Sequence, residues 1–197
     1  MDYQAKLSAP FGMLGIRCDD EALLGIDFLP ATDKPQRATS PFAERVCEQL
    51  RRYFENPDAQ FSIPLRLTAT PHQQKVWQAM LNIPRGCTRT YGELAAELHS
   101  SAQAVGQACG ANPVPIIIPC HRVVGRAGLG GFIQSTGDTQ LDIKRWLLSH
   151  ESTNPSPPAP LPKGARGEPK TPSPLQGEGW GEVRNTETRS TIIVKVK

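Results

Sequence analysis

Three consecutive isoleucines, Ile116 to Ile118, run directly into Pro119-Cys120-His121-Arg122-Val123. An apolar run of this kind has to be buried. It is expected to form a strand that ends in a turn stiffened by Pro119. That turn would present the Cys120 sulfur at the edge of a core, beside an imidazole. A nearby base or cation lowers a thiol's pKa, and a fixed backbone sets its direction; these are the two needs of a cysteine nucleophile. An inert, buried structural cysteine is the other reading of the same residues.

The chain has 197 residues, enough for one domain or two small ones. Residues 152–197 differ in kind from the rest. They hold eight of the 19 prolines and five of the 17 glycines, and large apolar residues are sparse until Ile192-Ile193-Val194. Such sequence buries too little apolar surface to offset chain entropy, so a disordered low-complexity tail is expected. The tail also carries the net charge: seven Lys or Arg against four Asp or Glu, in a chain of net +3. Residues 1–71 hold eight basic and ten acidic groups, and residues 72–151 hold seven and five. The mild positive excess lies on the half that contains Cys120. It is too small to indicate a polyanionic partner unaided.

Five cysteines are present: Cys18, Cys47, Cys87, Cys109 and Cys120. No CxxC pair or Cys/His cluster has zinc-ligand spacing, so neither a metal site nor a disulfide framework is expected. No signal peptide is legible before Ala5 or Phe11, and no apolar run approaches the ~20 residues of a membrane span. A cytoplasmic protein with free thiols is the expectation.

Residues 3–8 and 13–18 alternate loosely around a Pro10-Phe11-Gly12 turn, and residues 23–29 follow an Asp19-Asp20-Glu21 turn. Together they suggest a small antiparallel sheet. Ser40-Pro41 is a helix start, with Phe42, Val46, Leu50 and Tyr53 or Phe54 at helical spacing and Asn56-Pro57 as the stop. Thr70-Pro71-His72-Gln73 and Thr90-Tyr91-Gly92-Glu93 each read as a capping box. The first opens a helix with Val76, Trp77, Met80 and Leu81 inward; the second opens one with Leu94, Ala95 and Leu98 inward. A third helix, capped by Ser100 or Ser101, is expected to run to Cys109 with Gly110 as a left-handed cap. Two short helices joined by a tight turn make a helix-turn-helix pattern.

From Asn112 to Gly125 the sequence closely resembles the active-site segment of the O6-alkylguanine-DNA alkyltransferases, the methylated-DNA–protein-cysteine methyltransferases. The resemblance runs from about Thr70 to Glu151, reaches the N-terminus more weakly, and does not cover the tail. It implies an α/β protein of two parts. Residues 1–66 would form a supporting sheet-plus-helix domain like ribonuclease H, and residues 67–151 a mostly helical, winged-helix-like domain that binds DNA and accepts the alkyl group. The implied activity is irreversible, stoichiometric transfer of a methyl or alkyl group from O6-alkylguanine, and from O4-methylthymine, in duplex DNA to Cys120. The implied partner is duplex DNA carrying such a lesion. No cofactor and no membrane are implied, and the working state is a monomer.

The target oxygen lies in the base stack, so the nucleotide has to be swung out. The slim helix with Ala102, Ala104 and Gly106 suits a narrow minor groove, although small residues also serve helix packing. By resemblance, His121 acts through water as the base for Cys120, and Glu151 polarises that histidine. Asn112 matches the turn residue that bonds backbone near the thiol. Tyr91 matches the tyrosine whose hydroxyl donates to the extruded guanine. Arg122 stands among the DNA-facing residues and also fits a role anchoring the loop.

The sequence departs from the family pattern in three places, one of them the turn Leu98-His99-Ser100-Ser101, about two residues shorter than the commonest form. Gln103 stands where relatives carry the arginine that fills the gap left by the extruded base; it lacks that residue's charge and planar fork. After Cys120, Phe132 stands where a tyrosine is common and residues 133–139 form a longer insert, leaving Ser135 as the candidate hydroxyl donor to O6. Two other functions stay open at this level. One is a noncatalytic binder of alkylated DNA. The other is a cysteine hydrolase, whose histidine would be remote in sequence and oriented by a third residue.

Overall fold

A computed structural model describes residues 2–131, 138–152, 180–182 and 190–195. Strands β1 (Ala5–Ala9) and β2 (Gly12–Cys18) form a hairpin that pairs Ala5 with Ile16 and Ala9 with Gly12. Gly12 has φ 140°, a conformation open to glycine, which lets Pro10-Phe11 close the turn. β3 (Leu23–Leu29) continues the antiparallel order, with an irregularity at Arg17/Cys18. These are the strands expected from the alternation.

Helix α1 (Pro41–Glu55) starts where Ser40 Oγ accepts the Ala43 N–H, and Pro41 fits the first turn because its missing N–H would have had no partner there. Its buried stripe of Phe42, Val46, Leu50 and Tyr53 covers β1 and β2. Each such fully buried apolar side chain stabilises by about 1.5–3 kcal/mol relative to exposure. β4 (Pro64–Ala69), which the sequence reading did not anticipate, pairs with β3 in parallel through Leu23 and Leu65.

The second half is helical. α2 (Pro71–Leu81) and α3 (Tyr91–Glu97) both open with complete capping boxes, Thr70 with Gln73 and Thr90 with Glu93. α4 (Ala102–Gly110) is capped by Ser101. The turn between α3 and α4 passes through His99 at φ 49°. Trp77 of α2 is buried, and its indole N–H donates to the Ala108 carbonyl at 2.8 Å, fixing α4 to α2. Gly110 is the last helical residue and is not left-handed; the cap is Ala111 at φ −83°, so the expected glycine cap is corrected. Two-residue strands β5 (Arg89–Thr90) and β6 (Val123–Val124) pair in parallel and tie the start of α3 to the segment after Cys120. α5 (Asp138–Ser152) closes the domain.

The isoleucine run is buried as expected, but it is no strand. Pro113, Pro115 and Pro119 cannot donate to a ladder, so residues 113–119 fold as turns. The Ile118 N–H reaches the Val114 carbonyl at 3.0 Å, and the Val114 N–H reaches Asn112 Oδ1 at 3.1 Å. Ile116 is driven to φ 76°, a costly position for a β-branched residue, of order 1–3 kcal/mol. The N-terminal sheet supports this segment directly: the Ile26 N–H donates to the Pro113 carbonyl at 2.8 Å.

Of the tail, residues 153–179, 183–189 and 196–197 lie outside the described residues. Its described parts are β7 (Trp180–Glu182) and β8 (Ser190–Lys195), and β8 pairs antiparallel with β4 from Lys195 opposite Pro64 to Ser190 opposite Ala69. The β-branched run Thr191 to Val194 suits that pairing. Among the described residues no helix is long and apolar enough to cross a membrane.

Candidate active site

Cys120 begins a 3-10 turn, Cys120–Arg122, in which the Arg122 N–H donates to the Pro119 carbonyl at 3.0 Å. The turn places the Cys120 and His121 side chains in the interior. Cys120 is 3% exposed and His121 is fully buried. His121 Nε2 lies 3.0 Å from Glu151 Oε1, itself buried at the end of α5. Burial raises the Glu151 pKa, but the hydrogen bonds from His121 and Arg122 outweigh it and hold the carboxyl well below its usual range. An ionised carboxylate only accepts, so Nε2 carries the proton and Nδ1 has the lone pair. Nδ1 is buried and has no hydrogen-bond partner among the protein atoms. Burial also lowers the His121 pKa, against the opposing pull of Glu151, which keeps the ring neutral and able to act as a base at neutral pH.

The same carboxylate is held from two further sides. Arg122 grips it with Nε at 2.9 Å and a terminal nitrogen at 2.8 Å, and donates with its other terminal nitrogen to the Ile83 carbonyl at 2.7 Å. Its side chain is only 15% exposed. The guanidinium is thus held inside the protein by the bonds of a loop anchor, one of the two roles expected of Arg122. The Tyr53 hydroxyl of α1 donates to Glu151 Oε1 at 2.9 Å.

Burial pushes the Cys120 pKa up to about 11, although the Asn112 side chain and the Lys144 ammonium pull it down. With the sulfur closed off from water, the charged form loses more hydration than its neighbours return. Asn112 Nδ2 donates to the Ile118 carbonyl at 2.8 Å, the bond to backbone near the thiol that the resemblance implied.

Lys144 was not singled out by the sequence, yet it is fully buried. Its Nζ donates to the carbonyls of Val123 at 2.6 Å, Leu129 at 2.6 Å and Gly131 at 3.1 Å. Burial lowers its pKa to about 8, which leaves it charged at neutral pH. Three carbonyls match the three donors of an ammonium. The spacing of Lys144, Leu147 and Glu151 on one helix face was the available signal. Leu147 is buried, so its two polar neighbours on that face are buried with it.

Tyr91 packs beside the loop held by Lys144. Its hydroxyl donates to the Gly131 carbonyl at 3.2 Å, and its ring lies 5.9 Å from the Lys144 ammonium. Burial raises its pKa to about 12, so it stays a donor. Gly130, at φ 69°, approaches the Tyr91 ring so closely that a Cβ would meet it at 2.9 Å. On α4, Ala102 and Gln103 are exposed while Val105, Ala108 and Cys109 are buried. Ala104 and Gly106 are half-buried, with the Tyr91 ring beside Gly106. Ser135 and Phe132 lie outside the described residues, and with them the candidate hydroxyl donor.

Residues 71–153 match the family described as 6-O-methylguanine DNA methyltransferase, DNA binding domain, and residues 3–67 match its ribonuclease-like domain. The methylated-DNA–protein-cysteine methyltransferase of Mycobacterium leprae is 40% identical over 135 residues, covering 65% of this chain and 81% of its own length. The constitutive methylated-DNA–protein-cysteine methyltransferase of Bacillus subtilis is 34% identical over 162 residues, covering 77% of this chain and 96% of its own. The crystal structure of Mycobacterium tuberculosis OGT in complex with DNA superposes with a TM-score of 0.62 at 34% identity, covering 75% of this chain and 91% of that one. The buried Cys-His-Arg turn, the helix-turn-helix and both matched domains place this chain in the 6-O-methylguanine DNA methyltransferase family.

Proposed function

We propose that the chain repairs DNA by moving a methyl or larger alkyl group from guanine O6 to Cys120, once and irreversibly. The observation that carries this reading is the neutral, buried His121, oriented by Glu151 and next in sequence to a buried thiol. The thiol proton passes to His121 Nδ1 through a bridging water. The sulfur attacks the alkyl carbon, an S–C bond forms, and the C–O6 bond breaks with its electron pair going to the oxygen. The guanine anion then takes a proton back, leaving guanine and S-alkylcysteine. The Tyr91 hydroxyl exchanges its bond to the Gly131 carbonyl for one to the extruded base, and Asn112 and Lys144 favour the thiolate as it forms.

α4 is the minor-groove helix. Ala102, Ala104 and Gly106 let it approach the backbone closely, and Gln103 fills the space left by the swung-out nucleotide. Residues 67–151 are the DNA-binding and alkyl-acceptor part, residues 1–66 the supporting part, and residues 152–197 an added tail. The protein works as a monomer on lesion-bearing duplex DNA, in the cytoplasm, where its five free cysteines stay reduced.

The test is the intact mass of the full chain after incubation with duplex DNA containing O6-methylguanine. One methyl per chain, absent in Cys120→Ser, is the expected result. An unmodified protein that still binds the lesion would replace this reading with that of a noncatalytic binder.

A further inference from the structure

Glu151 Oε1 receives three donors: His121 Nε2 at 3.0 Å, Arg122 at 2.8 Å and Tyr53 at 2.9 Å. The first two come from the reactive turn. The third comes from α1, 98 residues away in the chain and on the other domain. Tyr53 is 2% exposed. α5 holds it at a second point, since His150 Nε2 lies 2.7 Å from the Tyr53 carbonyl and the two rings meet edge-on at 5.3 Å. Neighbouring residues of α5 therefore grip both the backbone and the hydroxyl of one tyrosine.

We infer that Tyr53 is a positioning residue for alkyl transfer: its hydroxyl shares Glu151 Oε1 with His121, which fixes the histidine tautomer and limits how basic the imidazole becomes. This rests on the function proposed above and deepens it, because it makes the N-terminal domain part of the proton relay and not only a support. A carboxylate oxygen that accepts a phenol hydrogen bond has less charge to offer the imidazole. Burial and the adjacent carboxylate both raise the Tyr53 pKa, so the hydroxyl keeps its proton and always donates. The His150 ring of α5 faces Tyr53 edge-on. Glu151 and Lys144 reach His121 from α5, Arg122 and Cys120 lie in its own turn, Tyr53 approaches from α1, and Arg85 acts on Tyr53 from the segment after α2.

The experiment is the single-turnover rate of methyl transfer from O6-methylguanine duplex against pH, for the full chain and for Tyr53→Phe. Nitrogen NMR of the histidine ring reads the His121 tautomer and pKa alongside it. The phenyl ring keeps the aromatic packing against Phe54, Phe61 and His150. In Tyr53→Phe the rate should fall about fivefold, the worth of one hydrogen bond. The acid limb of the profile, set by His121, should move up by about half a pH unit. Fluorotyrosine placed at position 53 preserves the fold and strengthens the donor, and should move that limb the opposite way. A variant with the wild-type rate and limb overturns the inference. So does a slower variant whose limb and tautomer are unchanged, because that marks a merely structural residue. A wild-type chain that accepts no methyl overturns the proposed function itself, a result separate from either of these.

Discussion

Asn112, just past the end of α4, donates from Nδ2 to the carbonyl of Ile118 at 2.8 Å, two residues before the thiol. The amide oxygen of the same side chain accepts the Val114 N–H at 3.1 Å. One buried side chain thus joins the end of α4 to the strained turn that carries Cys120.

Asn112→Ala leaves the Val114 N–H buried without a partner, which costs about 1–3 kcal/mol, and leaves the Ile118 carbonyl with the Cys120 N–H alone. It also removes the amide that pulls the Cys120 pKa down. Chemical denaturation should show a loss of about 1–3 kcal/mol. Single-turnover transfer should slow by about ten- to a hundredfold, the loss of a hydrogen bond to a developing charge. A variant that keeps both its stability and its rate would refute this role.

Lys144→Met keeps length and apolar volume but takes the ammonium from the carbonyls of Val123 and Leu129 and leaves that of Gly131 to the Tyr91 hydroxyl alone. The loop after Cys120 should lose its anchor, with amide exchange rising over residues 123–131. Transfer should fall by about tenfold or more, since the cation that favours the thiolate is gone. Unchanged exchange in that loop would show that the three carbonyls do not depend on the ammonium.

Gln103→Arg adds a charge and a planar fork at an exposed position on α4. The rate on methylated duplex should rise by about tenfold, with a steeper loss of DNA affinity as salt increases. No gain in rate would mean that glutamine already fills the place of the extruded base.

Glu151 and His121 both have folded-state pKa values below their unfolded ones. The sign is the same for each: the stability they contribute is complete above the unfolded pKa and is lost as pH falls. Melting temperature should therefore hold at neutral pH, begin to fall below about 6.5 as unfolded histidine binds protons, and fall further below about 4.3. Glu151→Gln leaves Arg122 buried with no countercharge and should cost about 3–5 kcal/mol at neutral pH. The variant's melting curve should also be flatter below about pH 4.3 than that of the wild type. An equal slope in both would sink the assignment.

Local interactions made much of this protein legible from its sequence. Ser40, Thr70, Thr90 and Ser101 each cap a helix through bonds within three residues, so helix starts were readable one at a time. The Cys120-His121 pair and its partner Glu151 followed from the motif and its resemblance, and the comparisons with relatives agree on the family. Tertiary structure alone decided the rest. Whether the isoleucine run became a strand depended on three prolines meeting Asn112 and the Ile26 N–H. Arg122 was drawn inward by a carboxylate 29 residues away, and Tyr53 by the same carboxylate 98 residues away. The state of the thiol turned on burial, which no spacing reveals. Periodicity and caps depend on the few residues nearest in the chain, whereas charge and proton affinity in the interior depend on whichever distant groups the docked domains bring together.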